Sequence, residues 1–462
     1  MISRWFNSSG AIQAEANLSK MISLDSRPGA AAKIQEQPRP LSLKKNFAWT
    51  FLGNVVYGAG QWGILVLLAK IGSPEMVGQF ALGLAVCLPV VMLTNLNLRA
   101  VQATDVKGEF VFGQYLGLRL LTTALAVLAI IGISLASGYS RETKLVILAV
   151  AAAKALESVI DAFYGLFQQH ERMDRIASSM VLRSLLYFVG LGLGVYLTGD
   201  IKWGMAGFAA AGAITLVFCD FRNGARTLLE ASGPAAARPT LFQAMRPRWE
   251  TAAVKKLIRL SLPLGFSMML LSLTHNIPRY FIEHYLGVRE LGMFAAITQL
   301  MVAGNTVVAA LGHSASPRLA RYFALGNRQA FRTLLLKLVG IGAVLGVAGF
   351  LVSWVAGYQI LAIFYRPEYA ANAGVFRQVM LAAGLFYIGS FLGYAVTATR
   401  AFDSFVIPYA CGTLVSLAAA WLLIPAFGLI GAAYTLSANG LAICAMTWFI
   451  LKKTEKRTGA AG

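Results

Sequence analysis

The sequence predicts an all-α polytopic membrane protein, with twelve transmembrane helices in two six-helix lobes. Three observations carry that prediction: a strongly apolar composition, twelve apolar runs of membrane-crossing length, and a lopsided placement of positive charge. The 462 residues are 57% apolar and only 13% charged, with a mean hydropathy of +0.65. A soluble domain carries about 25% charged residues. This chain has too few to cover a water-facing surface of its size, so lipid must complete it.

The runs fall roughly at 46–69, 76–96, 114–137, 143–164, 179–198, 204–220, 257–279, 290–313, 333–355, 376–398, 404–423 and 429–451. A hydrocarbon core of about 30 Å is crossed by about 20 helical residues. In lipid every backbone polar group must be satisfied within its own segment, so each run is expected to be a helix. The run at 204–220 is the shortest and is rich in Gly and Ala.

The formal net charge is +20, from 40 Lys and Arg against 20 Asp and Glu. Such a balance suits nucleic acid in general, but here the positive residues sit in short connections between apolar runs. When the termini and the even-numbered connections are placed on one side, that side holds 31 of the 40 and the other holds eight. The remaining one, Lys154, lies near the middle of a run, away from either end. Lys and Arg accumulate on the cytoplasmic side, so both termini are expected there. The four His, at 170, 275, 284 and 313, do not cluster, and Cys87, Cys219, Cys411 and Cys444 lie in apolar stretches. Neither a metal site nor a disulfide framework is expected, and no motif calls for a cofactor.

Residues 1–45 are polar. No apolar run precedes a small-residue cleavage site, and Glu15, Asp25 and Glu36 argue against a transit peptide. The segment is expected to be a disordered cytoplasmic tail. Next come an N-terminal lobe (46–220), a polar cytoplasmic linker (221–256) with Pro234, Pro239 and Pro247, a C-terminal lobe (257–451) and a short tail (452–462). The halves echo one another. The segment from Ile71 to Ala81, IGSPEMVGQFA, matches LGVRELGMFA from Leu286 to Ala295, and Gly204-Met205-Ala206-Gly207 matches Gly428-Leu429-Ile430-Gly431. Six crossings per half is an even number, so both halves run the same way and are related by an axis along the membrane normal. Two such bundles meeting at a cleft suit alternating access.

Several local motifs carry a family resemblance: Ile71–Ala81, Asn97-Leu98-Arg99-Ala100-Val101-Gln102, Gly113-Gln114-Tyr115-Leu116-Gly117-Leu118-Arg119, the stretch Asp161–Asp174 (DAFYGLFQQHERMD), and Pro367-Glu368-Tyr369-Ala370-Ala371. With the order of elements over about 46–452, they resemble the polysaccharide-transporter, Wzx-like branch of the multidrug/oligosaccharidyl-lipid/polysaccharide (MOP) exporter superfamily. The resemblance implies a MATE-like, two-lobed flippase in a bacterial inner membrane. Its substrate would be a polyprenyl-pyrophosphate-linked oligosaccharide for surface polysaccharide, with a polysaccharide polymerase and export machinery as partners. Drug-exporting relatives often carry an acid in the first span. Here that span offers Asn54, Tyr57 and Gln61, which departs from simple proton-driven drug antiport. The lipid II flippase branch usually has fourteen spans, against twelve here.

Candidate site residues follow from helical spacing. Lys154, Glu157 and Asp161 lie at i, i+3 and i+7, on one face of the fourth run. A charge near mid-membrane costs about 2.5–3.5 kcal/mol on insertion scales, so it should face a bundle interior or a wet cavity. Either a self-contained ion pair or a polar stripe facing the substrate lumen fits. His275, Arg279 and Glu283 share a face of the seventh run around Pro278. Arg279 is read either as an outer ion pair with Glu283 or as a cationic phosphate site. Asn54, Tyr57 and Gln61 are expected to line the cleft or to bond neighbouring helices. Arg99 and Arg119 are expected at the cytoplasmic mouth, following the charge bias or attracting a pyrophosphate. Thr298, Gln299 and Asn305 form a weaker polar trace. No catalytic residue is assigned. The outer loops are mostly under ten residues and the longest, roughly 356–375, holds one acid, Glu368; a membrane-bound polymerase or glycosyltransferase is therefore disfavoured. A cation-coupled multidrug or metabolite exporter, with Glu157 and Asp161 as ion carriers, is the alternative.

Overall fold

The computed structural model describes residues 43–105, 108–231, 245–399 and 406–459, and these are helices joined by short turns with no strand among them. The N-terminal half contains α1 (Leu43–Ile71), α2 (Pro74–Asn95), α3 (Phe112–Ala136), α4 (Arg141–Gln169), α5 (Met173–Thr198) and α6 (Ile201–Ala231). The C-terminal half contains α7 (Thr251–Leu286), α8 (Val288–Ala324, interrupted at Leu300), α9 (Arg328–Phe364), α10 (Ala373–Ala398) and α11 (Val406–Gly459). Among the described residues, ten helices are long and apolar enough to cross a membrane. Two further features accord with twelve crossings. Gly428, at φ 61°, splits the 54-residue α11 into two arms. The 29-residue α4 is long enough to cross as well, with Lys154, Glu157 and Asp161 interrupting its apolar run.

The sixth helix differs from its sequence reading. The run at 204–220 is the middle of a 31-residue helix, and the segment expected as a linker is helical at both described ends. Arg222–Ala231 continues α6, and α7 begins at Thr251. The extension is held from α5. Arg175 pairs with Glu230 at 2.6 Å and bonds Thr227, while Arg172 pairs with Glu230 at 2.9 Å. Pro234 and Pro239, and the tail expected at 1–45 as far as residue 42, lie outside the described residues.

In the N-terminal lobe α5 packs between α1 and α6, and α4 packs on α2, α3 and α6. In the C-terminal lobe α10 is central, against α8, α9 and α11, and α7 lies along α11. The lobes meet where α2 crosses α7 and the first half of α8. The repeated motifs build this crossing. A Cβ on Gly78 would strike the Val288 carbonyl, and a Cβ on Gly292 would strike the Pro74 carbonyl. The two contacts are one contact applied twice, since 78 and 292, and 74 and 288, are each 214 apart. Glycine is needed on both helices because the backbones touch. Arg289 spans the seam beside them, 3.1 Å from Glu75 and 2.9 Å from Glu368.

Proline supplies the second tie. Pro89 in α2 has no N–H for the Ala85 carbonyl, and the Tyr280 hydroxyl of α7 donates to it instead. Pro278 likewise frees the Thr274 carbonyl, which accepts from Ser416 Oγ at 3.2 Å and from Asn439 Nδ2 at 3.3 Å, both on α11. In a membrane such freed groups must be re-satisfied by neighbouring helices. At the opposite end α7 leans on the N-terminal lobe. The Arg248 N–H donates to Gly113 O (2.8 Å), Gln114 Nε2 donates to Glu250 Oε2 (2.7 Å), and Leu257 is buried beside Leu96, Leu98, Tyr115 and Leu118.

Candidate functional site

The sequence-derived candidates separate into three places. The first is a cavity of about 760 Å³, walled mainly by α7, α8, α10 and α11 and closed on one side by Leu88 and Met92 of α2. It runs from Arg279 and Phe294 towards Thr397, Pro408 and Thr447, at the end of the bundle nearer the termini. His275 and Arg279 line it, with Asn276, Thr298, Gln299 and Asn305. None of its lining residues is Asp or Glu. The expected Arg279–Glu283 pair is absent among the described residues. Arg279 Nη1 donates to Asn276 Oδ1 at 3.2 Å, and Arg279 has no carboxylate partner among the described residues. Glu283, one turn further on, lies beside Tyr139 instead. His275 Nδ1 sits 2.9 Å from the Leu271 carbonyl, which needs the proton on Nδ1 and leaves Nε2 free. Its ring packs 5.3 Å from that of Phe386.

The second place is the interior of the N-terminal lobe. Lys154 Nζ is 2.8 Å from Glu157 Oε2, and the Tyr187 hydroxyl donates to Glu157 Oε1 at 3.0 Å. Lys154 is 9% exposed, and neither it nor Glu157 lines the cavity. Arg183 lies over the rings of Tyr57 (5.0 Å), Tyr164 (5.6 Å) and Tyr187 (5.9 Å). Its charge is thus stabilised by three aromatic faces. Of the first-helix candidates only Tyr57 joins this group. Asn54 is exposed and Gln61 half-buried, and neither makes a hydrogen bond among the described residues.

The third place is the end of the N-terminal lobe nearer the chain termini. Asp161 leaves the Lys154–Glu157 stripe and binds two arginines, Arg119 at 3.0 Å and Arg99 at 3.6 Å. Arg119 is not at an open mouth. It is fully buried, and Nη1 donates to the carbonyl of Asn95, the last residue of α2, at 3.1 Å. A cation on the final carbonyls of a helix satisfies an orphan acceptor and complements the dipole. Arg99 Nε donates to Gln168 Oε1 at 3.1 Å.

Arg183 and Tyr187 belong to this architecture and were not among the sequence candidates. In sequence Arg183 lies four residues into the run 179–198 and counts with the cytoplasmic-side charges. The helix begins at Met173, which puts Arg183 ten residues inside it. An Arg followed four residues later by a Tyr, within an apolar helix, was the available signal.

The fold defines a class: a two-lobed, all-helical membrane bundle with the architecture of solved MATE-family and MurJ structures. The structure superposes on an inward-facing multidrug-resistance MATE-family transporter of the MOP superfamily at TM-score 0.68, with 14% identity over 88% of this chain and 96% of that one. An outward-facing MATE transporter gives 0.57, with 13% identity over 89% of this chain and 94% of that one. The lipid II flippase MurJ, in an inward closed conformation, gives 0.67, with 12% identity over 88% of this chain and 87% of that one.

The chain belongs to the family described as "Polysaccharide biosynthesis protein", whose model matches residues 43–323. It is 24% identical to the capsular polysaccharide biosynthesis protein CapF of Staphylococcus aureus over 89% of this chain and all of CapF. It is 31% identical to the EPS I polysaccharide export inner membrane protein EpsE of Ralstonia solanacearum, over 38% of this chain and 39% of EpsE.

Proposed function

We propose that the protein flips a polyprenyl-pyrophosphate-linked oligosaccharide from the cytoplasmic to the periplasmic leaflet of a bacterial inner membrane, for surface or exopolysaccharide synthesis. The observation that carries this reading is Arg279: among the described residues, a guanidinium without a carboxylate partner in a cavity lined by no acid. A buried charge without a counter-ion is costly, and an anionic headgroup supplies the counter-ion. A guanidinium donates two parallel N–H bonds to phosphate oxygens. Thr298, Gln299, Asn305 and the free Nε2 of His275 offer hydrogen bonds to sugar hydroxyls. The polyprenyl tail stays in lipid, and no bond is made or broken.

The positive-inside bias puts both termini in the cytoplasm. The seam at Gly78, Arg289 and Gly292 is then the closed periplasmic side, and the cavity extends towards the cytoplasm. This is the loading state. Release requires the α2–α8 crossing to part and the cytoplasmic end to close. Family membership supports a role in polysaccharide synthesis, and a polymerase acting on the flipped product would be its partner. The alternative, a cation-coupled multidrug or metabolite exporter with Glu157 and Asp161 as ion carriers, has less support, because both acids are paired with cations inside the N-terminal lobe.

The test is the lipid-linked oligosaccharide pool after gene disruption. Accumulation of the complete repeat unit facing the cytoplasm, with loss of surface polysaccharide, is expected. An unchanged pool in a strain without a second homologue refutes the reading.

A further inference from the structure

A second unpaired charge lies in the other lobe. Asp220 sits in the π-helical turn Leu216–Phe221 of α6 and is fully buried. Neither carboxyl oxygen has a well-aligned hydrogen-bond partner among the described residues; the Ser179 hydroxyl is the one donor that faces it. The groups facing it are Ser179 and Arg183 from α5, Tyr164 from α4 and Cys219 from its own turn. Tyr164 donates its hydroxyl proton to Ser179 Oγ at 2.9 Å, which leaves the Ser179 hydroxyl proton free to turn. Arg183 rests on aromatic faces, and its Nε is buried without a partner. No ion pair joins Asp220 to Arg183 among the described residues.

An ionised carboxylate without a counter-ion, buried in a membrane protein and offered at most one hydroxyl, costs several kcal/mol. The arrangement suits the protonated acid. An acid that loses its proton here needs a cation, and Arg183 is the cation that needs an anion. The π-helical turn gives the carboxyl a way to move. A π turn carries one residue more than an α turn, so its conversion to α-helix rotates the residues beyond it by about 100°. Such turns recur at functional positions.

We propose that Asp220 is a proton-binding carboxyl, loaded and unloaded as the lobes move, with Arg183 receiving its ionised form. The loaded acid keeps its O–H bond and lies in apolar packing. On unloading, that proton leaves to water and the carboxylate takes up the Arg183 guanidinium, drawing it off the tyrosine rings. No other bond changes. Tyr187 passes the shift on, because it touches Arg183 and also donates to Glu157, the partner of Lys154. The purpose of this site rests on the transport reading above; its chemistry does not.

The test is therefore chosen to need no transport substrate. The purified full-length protein is treated with dicyclohexylcarbodiimide, an apolar reagent that adds to protonated carboxyls, and the modified peptides are read by mass spectrometry across pH. Labelling of Asp220 is expected at acidic pH, falling about tenfold per pH unit once the group ionises. Asp220→Asn should remove that adduct. Arg183→Gln should extend labelling to higher pH, because the ionised form loses its receiver. Absence of an Asp220 adduct at acidic pH, with other carboxyls modified, overturns the proposal. So does protection by sodium at fixed pH, which would mark a metal cation site.

In cells, Asp220→Asn at wild-type membrane levels should reproduce the pool accumulation of the disruption, and normal surface polysaccharide would overturn the coupling. If the disruption itself changes no pool, the flippase reading fails while the labelling result stands.

Discussion

The two lobes share a topology and handle buried charge in opposite ways. The N-terminal lobe holds Lys154 against Glu157, and Arg119 and Arg99 against Asp161. Each of these cations has an acid within the lobe, Asp161 serving two of them, and two of the three acid–base contacts are at hydrogen-bond distance. The C-terminal lobe holds Arg279 against an amide oxygen and an open cavity. A satisfied pair has nothing left to offer a ligand, whereas an unsatisfied cation has its full electrostatic capacity available. Legibility in sequence does not track this distinction. The i, i+3, i+7 stripe of the fourth helix is the more conspicuous pattern, and the structure spends it on internal pairing.

The comparison can be broken most decisively at the unpaired cation. Arg279→Ala is expected to cut flipping about ten- to a hundredfold, the equivalent of a charge-assisted hydrogen bond of about 1.5–3 kcal/mol. Protein yield and thermal midpoint should stay near wild type. Arg279→Lys should recover only part of the activity, since an ammonium cannot bind phosphate bidentately. A large fall in the thermal midpoint of Arg279→Ala would show that the arginine is structural after all.

Next in size is the paired cluster, where the loss should appear as stability. Glu157→Ala strands Lys154 without its acid and takes the acceptor from Tyr187. Removal of one partner from a buried pair costs about 3–5 kcal/mol, to be read as lost membrane yield and a lowered thermal midpoint. Removal of both, Lys154→Met with Glu157→Met, should cost less than Glu157→Ala alone. If the double variant folds well yet no longer flips, the cluster belongs to the transport path.

A smaller effect is expected at the seam. Tyr280→Phe deprives the Ala85 carbonyl of its cross-helix donor, a loss of about 1–3 kcal/mol for a buried unsatisfied acceptor. The loss falls on the closed form of the α2–α7 contact, so cysteine accessibility from the periplasmic side should rise. Smallest is Arg289→Ala. Its side chain is 52% exposed, and exposed pairs contribute about 0–1 kcal/mol. It should leave stability unchanged and raise periplasmic accessibility slightly, more at low salt than at high salt.

How much the sequence disclosed depended on the kind of signal. Apolar runs, charge bias and the motifs at 71–81 and 286–295 report properties each segment carries alone. They gave the helices, and the family resemblance gave the fold. The motifs proved to be the crossing itself, because two glycines must face backbone on each side. The sites were harder to read. Helical spacing showed that Lys154, Glu157 and Asp161 share a face, but not that Asp161 sits opposite Arg119 of another helix. Arg119 and Arg183 each lie within ten residues of a helix start, where sequence alone does not separate a buried cation from one that reaches the helix mouth. Asp220 carried no pattern at all. Its isolation is visible only once α4, α5 and α6 are packed.

The clasp between α7 and the N-terminal lobe has a consequence for how the polypeptide can be divided. Arg248 and Glu250 bond α3, and Leu257 fills an N-lobe core, so the start of the second half is already seated on the first. A chain break between Ala231 and Met245 severs none of these contacts. The protein should therefore assemble from two separately translated fragments, and a gene split at that junction should yield both halves as a stable pair in the membrane. The covalent join would then matter for stoichiometry and little for architecture.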